Sequence, residues 1–174
     1  MRRKRVATAL TGQRVEKTMQ LTRFTDYSLR TLMYLGLNDE RLVTIAEIAE
    51  MYRVSENHLM KIVHRLGQYG YIETVRGKGG GMRLARPAEE IHIGELVSDT
   101  EENMDLAECF NPRNRDCPML PECALQAALM VARASFLETL NNYTVSDLIA
   151  NQHAGGEVVV KFLERKNKVR GKHS

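Results

Sequence analysis

The sequence predicts a mainly α-helical fold with one small β-hairpin, organised as a winged helix-turn-helix domain, a cysteine-containing loop and a long apolar helix. Three observations carry this. Two short capped helices stand a few residues apart between Thr44 and Leu66, and a glycine-rich basic hairpin follows them directly. Every cysteine lies in one proline-rich stretch, Cys109 to Cys123, just ahead of a long run of apolar helix formers.

Taken in chain order, residues 1–18 are polar and basic, lack sustained periodicity and precede an internal Met19. They read as a disordered arm or as sequence upstream of the native start. From Phe24 a helix is expected, with Thr25 and Asp26 in its first turn and Leu29, Leu32, Met33 and Gly36 at helical spacing. Thr44-Ile45-Ala46-Glu47 is a capping box, in which Thr44 and Glu47 each satisfy the other's free amide, and it opens a helix to about Met51. Ser55 suits the N-cap of the next helix, whose Leu59, Ile62, Val63 and Leu66 form one stripe. Small Ala49 lets the two helices approach, and Arg53 stands where many such turns carry glycine.

Tyr71-Ile72-Glu73-Thr74-Val75, then Arg76-Gly77-Lys78-Gly79-Gly80-Gly81, then Met82-Arg83-Leu84-Ala85 reads as strand, turn, strand. The glycines lack both the G-x-x-x-x-G-K-[ST] pattern and the following helix of a nucleotide cradle. A short helix is expected over residues 92–97, the cysteine segment cannot be one continuous helix because of Pro112, Pro118 and Pro121, and a long helix runs from about Ala124 to Leu140. Leu125, Leu129, Ala132, Phe136 and Leu140 share a face of it, and Thr144-x-x-Asp147 caps a final short helix. The expected units are a basic extension (1–18), a winged domain (19–87), a connector and cysteine loop (88–123), a dimerisation helix with the short C-terminal helix (124–151), and a basic tail (152–174).

Charge is distributed unevenly. Residues 1–18 and 161–174 each carry six Lys/Arg against one Glu, residues 53–86 carry seven against two acids, and residues 87–160 carry three against 13. A cationic segment inside an acidic body suits a module that meets phosphate on one face. No segment approaches the roughly 20 apolar residues that span a bilayer, and the apolar run after the basic N-terminus is too short for a signal peptide, so a cytoplasmic protein without a membrane partner is expected.

Outside the apolar stripe of the second capped helix lie Asn57, His58, Lys61, His64 and Arg65, with Ser55 at its start. An amide and cations near a helix N-terminus are what reading base edges in the major groove requires. The hairpin adds Arg76, Lys78 and Arg83 as contacts to backbone phosphate or the minor groove. The expected partner is double-stranded operator DNA. Such proteins commonly read paired half-sites, so the long apolar helix is expected to form a homodimer. For Cys109, Cys117 and Cys123, an odd thiol count in a reducing compartment disfavours disulfides. An iron-sulfur cluster, zinc and metal-free redox thiols remain open; zinc would lack a fourth ligand nearby.

Met-Gln-Leu-Thr-Arg-Phe-Thr-Asp-Tyr-Ser-Leu-Arg from Met19, Asn-His-Leu-Met-Lys-Ile-Val from Asn57, Arg-Gly-Lys-Gly-Gly-Gly-Met-Arg-Leu from Arg76, the cysteine segment and Asn142-Tyr143-Thr144-Val145-Ser146-Asp147-Leu148 are distinct motifs. Over roughly residues 19–151 they resemble the bacterial family of winged-helix iron-sulfur regulators, and within it the nitric-oxide-sensitive repressors. The resemblance implies that Cys109, Cys117 and Cys123 ligate one cluster per subunit, [2Fe-2S] or [4Fe-4S]. It implies Asp26, contributed across a homodimer, as a candidate fourth ligand; favourable charge at a helix N-terminus is that residue's other role.

The function so implied is a DNA-binding repressor, not an enzyme, whose intact cluster favours DNA binding and whose operator is released by nitric oxide to express nitrosative-stress genes. A sensor of cluster supply or redox stress is the alternative within the family. An electron-transfer or thiol-redox protein is the alternative of another class, and the winged helix-turn-helix argues against it.

Overall fold

The structure is a computed structural model that describes residues 20–111, 113, 116–120 and 122–154. The expected arm 1–18 lies outside these, as does the expected tail 152–174 apart from residues 152–154, which continue the last helix. Six α-helices and one two-stranded hairpin are described: α1 (Arg23–Gly36), α2 (Ile45–Tyr52), α3 (Glu56–Gln68), β1 (Ile72–Val75), β2 (Gly81–Leu84), α4 (Ile93–Thr100), α5 (Ala124–Asn141) and α6 (Val145–Ala154). Short 3-10 turns lie at Ala88–Glu90 and Glu108–Phe110.

Helix α1 is capped by Thr22, whose hydroxyl accepts from the Thr25 amide at 3.2 Å. Its buried face is Thr25, Ser28, Thr31, Leu32 and Leu35, a rotation away from the expected Leu29, Met33 and Gly36. The reason is local: the Ser28 and Thr31 hydroxyls donate to the Phe24 and Tyr27 carbonyls one turn back, both at 2.7 Å, so these polar side chains enter the core with their donors satisfied.

The helix-turn-helix forms as the caps require. Thr44 and Glu47 make both halves of the capping box, and Ser55 accepts from the His58 amide. Between the helices Arg53 takes the left-handed conformation at φ 55, ψ 44, and the Val54 amide returns to the Ala49 carbonyl at 3.0 Å. Leu59, Ile62, Val63 and Leu66 are all buried against α1 and α2.

The hairpin pairs antiparallel, Ile72 with Leu84 and Val75 with Gly81, and Val43 bridges to its edge through two bonds with Met82 of 3.0 and 2.8 Å. A side chain at Gly80 would strike the Val75 carbonyl at 2.3 Å, so the tip requires glycine there. The single core of the described residues runs from Leu32 and Leu59 through Tyr71 and Met82 to Ile91, Leu96, Val97 and Val145, so α4 and α6 close the winged module rather than standing apart from it.

The α5–α6 turn is locked onto the start of α4. Ile93 donates to Tyr143, Val145 donates to Ile91, and the His92 ring bonds the Asn141 carbonyl, all at 2.9 to 3.0 Å. Gly94 brings the helices together: a Cβ there would lie 2.3 Å from the Leu137 carbonyl. Thr144 and Asp147 cap α6 reciprocally, and the Thr144 amide and hydroxyl hold the Asp147 carboxyl below the usual carboxylate range.

Helix α5 contains no buried residue. Phe136, Leu137 and Leu140 rest on the core, but toward the N-terminus Leu125 and Val131 are 67% and 66% exposed. Of the expected face, Leu129, Phe136 and Leu140 are half-buried, whereas Leu125 and Ala132 are exposed. None of the described helices is long and apolar enough to cross a membrane.

Candidate DNA interface and cysteine loop

Helix α3 presents Asn57, Lys61, His64 and Arg65 to solvent. These positions recur at four, seven and eight residues, so they form one outward stripe opposite the buried one. Met60 belongs beside them at 48% exposure, an apolar residue that pattern reading assigned no role. Its signal was its place between Asn57 and His64, since an exposed apolar side chain on such a face suits a thymine methyl group.

His58 departs from the expected outward orientation. Its ring packs edge-to-face on Tyr27 of α1 with centroids 5.5 Å apart, and its Nε2 is buried without a hydrogen-bond partner among the described residues. Position 58 is one turn before Ile62 and therefore flanks the apolar stripe; contact with α1 draws it inward. Ser55 is exposed, with its oxygen engaged as the cap. Arg65 is held over Tyr69: its Nε donates to the Tyr69 hydroxyl at 3.1 Å and its guanidinium lies 5.3 Å from the ring centre.

On the wing, Arg76 and Lys78 are exposed at the tip, where Gly77 and Gly79 adopt φ of 104 and 79. Those angles let the chain reverse tightly with both cations pointing off the body. Arg83 instead pairs with its cross-strand neighbour Glu73, which neutralises part of its charge.

The cysteine loop is fastened to α5 at its start. Gln126 donates to the Cys109 carbonyl at 2.9 Å, and Arg133 lies 5.1 Å over the Phe110 ring and 3.9 Å from Asp105. All three cysteines are free: Cys109 and Cys123 are half-buried and Cys117 is exposed. Cys123 directly precedes α5 with no side-chain bond to the helix amides. Three free thiols of one loop are the donor chemistry that iron-sulfur and zinc centres take. The loop does not, however, gather them; no three His, Cys, Asp or Glu side chains among the described residues stand close enough to hold a metal ion. Asp26 is on the same chain's surface, its carboxylate 2.9 Å from Arg30 Nε.

Comparison with known proteins agrees with this architecture. Residues 21–151 match the Rrf2 family, described as an iron-dependent transcriptional regulator. The chain is 49% identical over 135 residues, 77% of its own length and 91% of the relative's, to the HTH-type transcriptional regulator NsrR of Shouchella clausii. It is 44% identical over 149 residues, covering 85% of the chain and 99% of the relative, to NsrR of Bacillus subtilis. Among solved structures it is similar to T. potens IscR, with a TM-score of 0.62 over 76% of this chain and 88% of that one at 21% identity.

Proposed function

The chain belongs to the Rrf2 family of transcriptional regulators, and from that premise we propose that it is a homodimeric, nitric-oxide-sensitive repressor that reads its operator with α3 and the wing and senses through its cysteine loop. Its place among DNA-binding transcriptional regulators, which are not enzymes, comes from its relatives. The sensing chemistry is our reading, and one observation carries it: the cationic face and the thiols are separate. Asn57, Lys61 and Lys78 face outward on one module, while all three free cysteines lie on a loop pinned to α5 by Gln126 and Arg133.

In this reading Cys109, Cys117 and Cys123 hold an iron-sulfur cluster, [2Fe-2S] or [4Fe-4S], one per subunit. Asp26 of the second subunit is the candidate fourth ligand. Such a cluster would supply thiolate-bound iron with which nitric oxide can react. Everything else falls to the chain. Cys109, Cys117 and Cys123 would hold the group, and Gln126 and Arg133 of α5, which hold the loop, would link it to the body. Two copies joined through the exposed apolar part of α5 would place two recognition helices at half-sites about one helical turn, roughly 34 Å, apart, a separation that tolerates little error. A coupling between loop and DNA face of about 1 to 3 kcal/mol would then change operator affinity about 5- to 150-fold.

The test is anaerobic purification of the chain and of Cys109→Ser, Cys117→Ser and Cys123→Ser, with iron content, absorbance spectra and operator shift assays. Each variant is expected to lose or cripple the chromophore, remain a folded dimer, bind operator weakly and ignore nitric oxide. A triple variant that binds operator and responds to nitric oxide as the wild type does would remove the sensing half of the proposal and leave the DNA-binding half.

A further inference from the structure

Tyr71 is the largest fully buried side chain of the molecule's described part and stands at a junction of three elements. Its amide donates to the Leu66 carbonyl in α3 at 2.9 Å, and its carbonyl accepts from Ala85 just past β2 at 3.0 Å. Its hydroxyl leaves the wing altogether and donates to Asp99 Oδ2 in the last turn of α4 at 2.7 Å. The ring is covered on one side by the Arg86 guanidinium, 4.7 Å from its centre, and meets the Tyr69 ring edge-to-face at 6.4 Å. Tyr69 in turn carries Arg65. Four side chains, Asp99, Tyr71, Tyr69 and Arg65, thus run in contact from α4 to the outward stripe of α3.

The other end of α4 belongs to the sensory side. Its first residues are bonded to the α5–α6 turn, and Gly94 seats it on Leu137 and Asn141 of α5 with no room for a side chain. Helix α5 holds the cysteine loop through Gln126 and Arg133. A shift of α5 therefore moves α4 with it, because packed helices in such close contact translate rather than deform. Between α4 and the DNA-facing elements, Asp99 to Tyr71 is a directional polar link, and such a link has a defined partner that sliding apolar contacts lack. Burial, together with the bond to the Asp99 carboxylate, pushes the Tyr71 phenol well above its ordinary value, so it stays a proton donor at every physiological pH.

We propose that the Tyr71–Asp99 hydrogen bond transmits the state of the cysteine loop to α3 and the wing, making Tyr71 a positioning residue for operator binding. The inference rests on the iron-dependent DNA binding proposed above. Neither residue touches DNA or a thiol in this role; together they set where the start of the wing and the end of α3 lie relative to α4. Contact alone does not establish coupling, so the test must measure coupling itself.

The experiment compares operator affinity, by fluorescence anisotropy under anaerobic conditions at fixed salt, for iron-loaded and iron-stripped protein in the wild type, Tyr71→Phe, Asp99→Ala, which removes the acceptor, and the double variant. Iron content and melting temperature are read on the same samples. Tyr71→Phe keeps the buried ring and leaves only a solvent-accessible carboxylate unpaired, so iron content and helical signal are expected to hold. The ratio of loaded to stripped affinity is expected to shrink by about fivefold, what one net hydrogen bond is worth, in each single variant. The double variant should lose no more than either single one, as members of one contact do. A merely structural role would lower melting in both states and leave the ratio unchanged. Retention of the wild-type ratio in folded Tyr71→Phe or Asp99→Ala overturns the coupling alone. Equal affinity of loaded and stripped wild-type protein overturns the reading beneath it, and the coupling falls with it.

Discussion

Arg53 holds a left-handed backbone conformation that costs a residue with a Cβ about 1 to 2 kcal/mol. Glycine adopts it freely, although it also loses more freedom on folding. Arg53→Gly is therefore expected to stabilise the protein by about 0.5 kcal/mol and Arg53→Val to destabilise it by more than about 1 kcal/mol, both read from urea unfolding midpoints. Loss of stability in the glycine variant would show that the Arg53 side chain contributes more than its backbone costs. On the proposed DNA face, Asn57→Ala is expected to weaken specific operator binding by about 1 to 3 kcal/mol, and Lys78→Ala to weaken all DNA and lower the salt slope by about 1. Equal losses on operator and random DNA for both would remove base reading from α3. Single positions were legible in the sequence where a local rule governs them: the Thr44–Glu47 box, the Ser55 cap and Arg53 in the glycine position all depend on neighbours within a turn. His58 was not legible, since its inward turn depends on Tyr27, 31 positions away in the chain.

At the scale of elements, α3 and α5 illustrate opposite cases. The α3 stripe predicted its own burial because α1 and α2 of the same chain cover it. In α1 the same reasoning placed Leu32 in the core correctly but missed Ser28 and Thr31 beside it: it weighed side chains by polarity, while their hydroxyls find acceptors on the helix itself. Helix α5 was rightly read as apolar, but Leu125 and Val131 are left uncovered by the described residues. Burying a side chain of this size is worth about 1.5 to 3 kcal/mol, and a lysine at such a site opposes association strongly. If the proposed homodimer forms through this face, the Leu125→Lys/Val131→Lys variant should sediment as a monomer and the wild type as a dimer. Its melting should change little once extrapolated to low concentration, because neither residue supports the subunit's own core. A monomeric wild type at micromolar concentration would contradict the proposed assembly.

Among the described residues, one continuous core joins the winged module to α4 and α6, and the cysteine loop hangs from α5 at its edge. No cysteine belongs to that core, so the proposed sensing loop is separate from what stabilises the fold. This arrangement was only partly legible beforehand: clustering of the cysteines marked the loop, but the spacing of residues 92–148 could not show that α4 is clasped between the α5–α6 turn and the wing. The most direct test of the account is the operator affinity of the wild-type protein with iron loaded and with iron removed, measured anaerobically at one salt concentration. The account predicts that loaded protein binds about 5- to 150-fold more tightly and that nitric oxide brings it to the level of the stripped form. Equal affinity in the two states, with nitric oxide without effect on either, would contradict it.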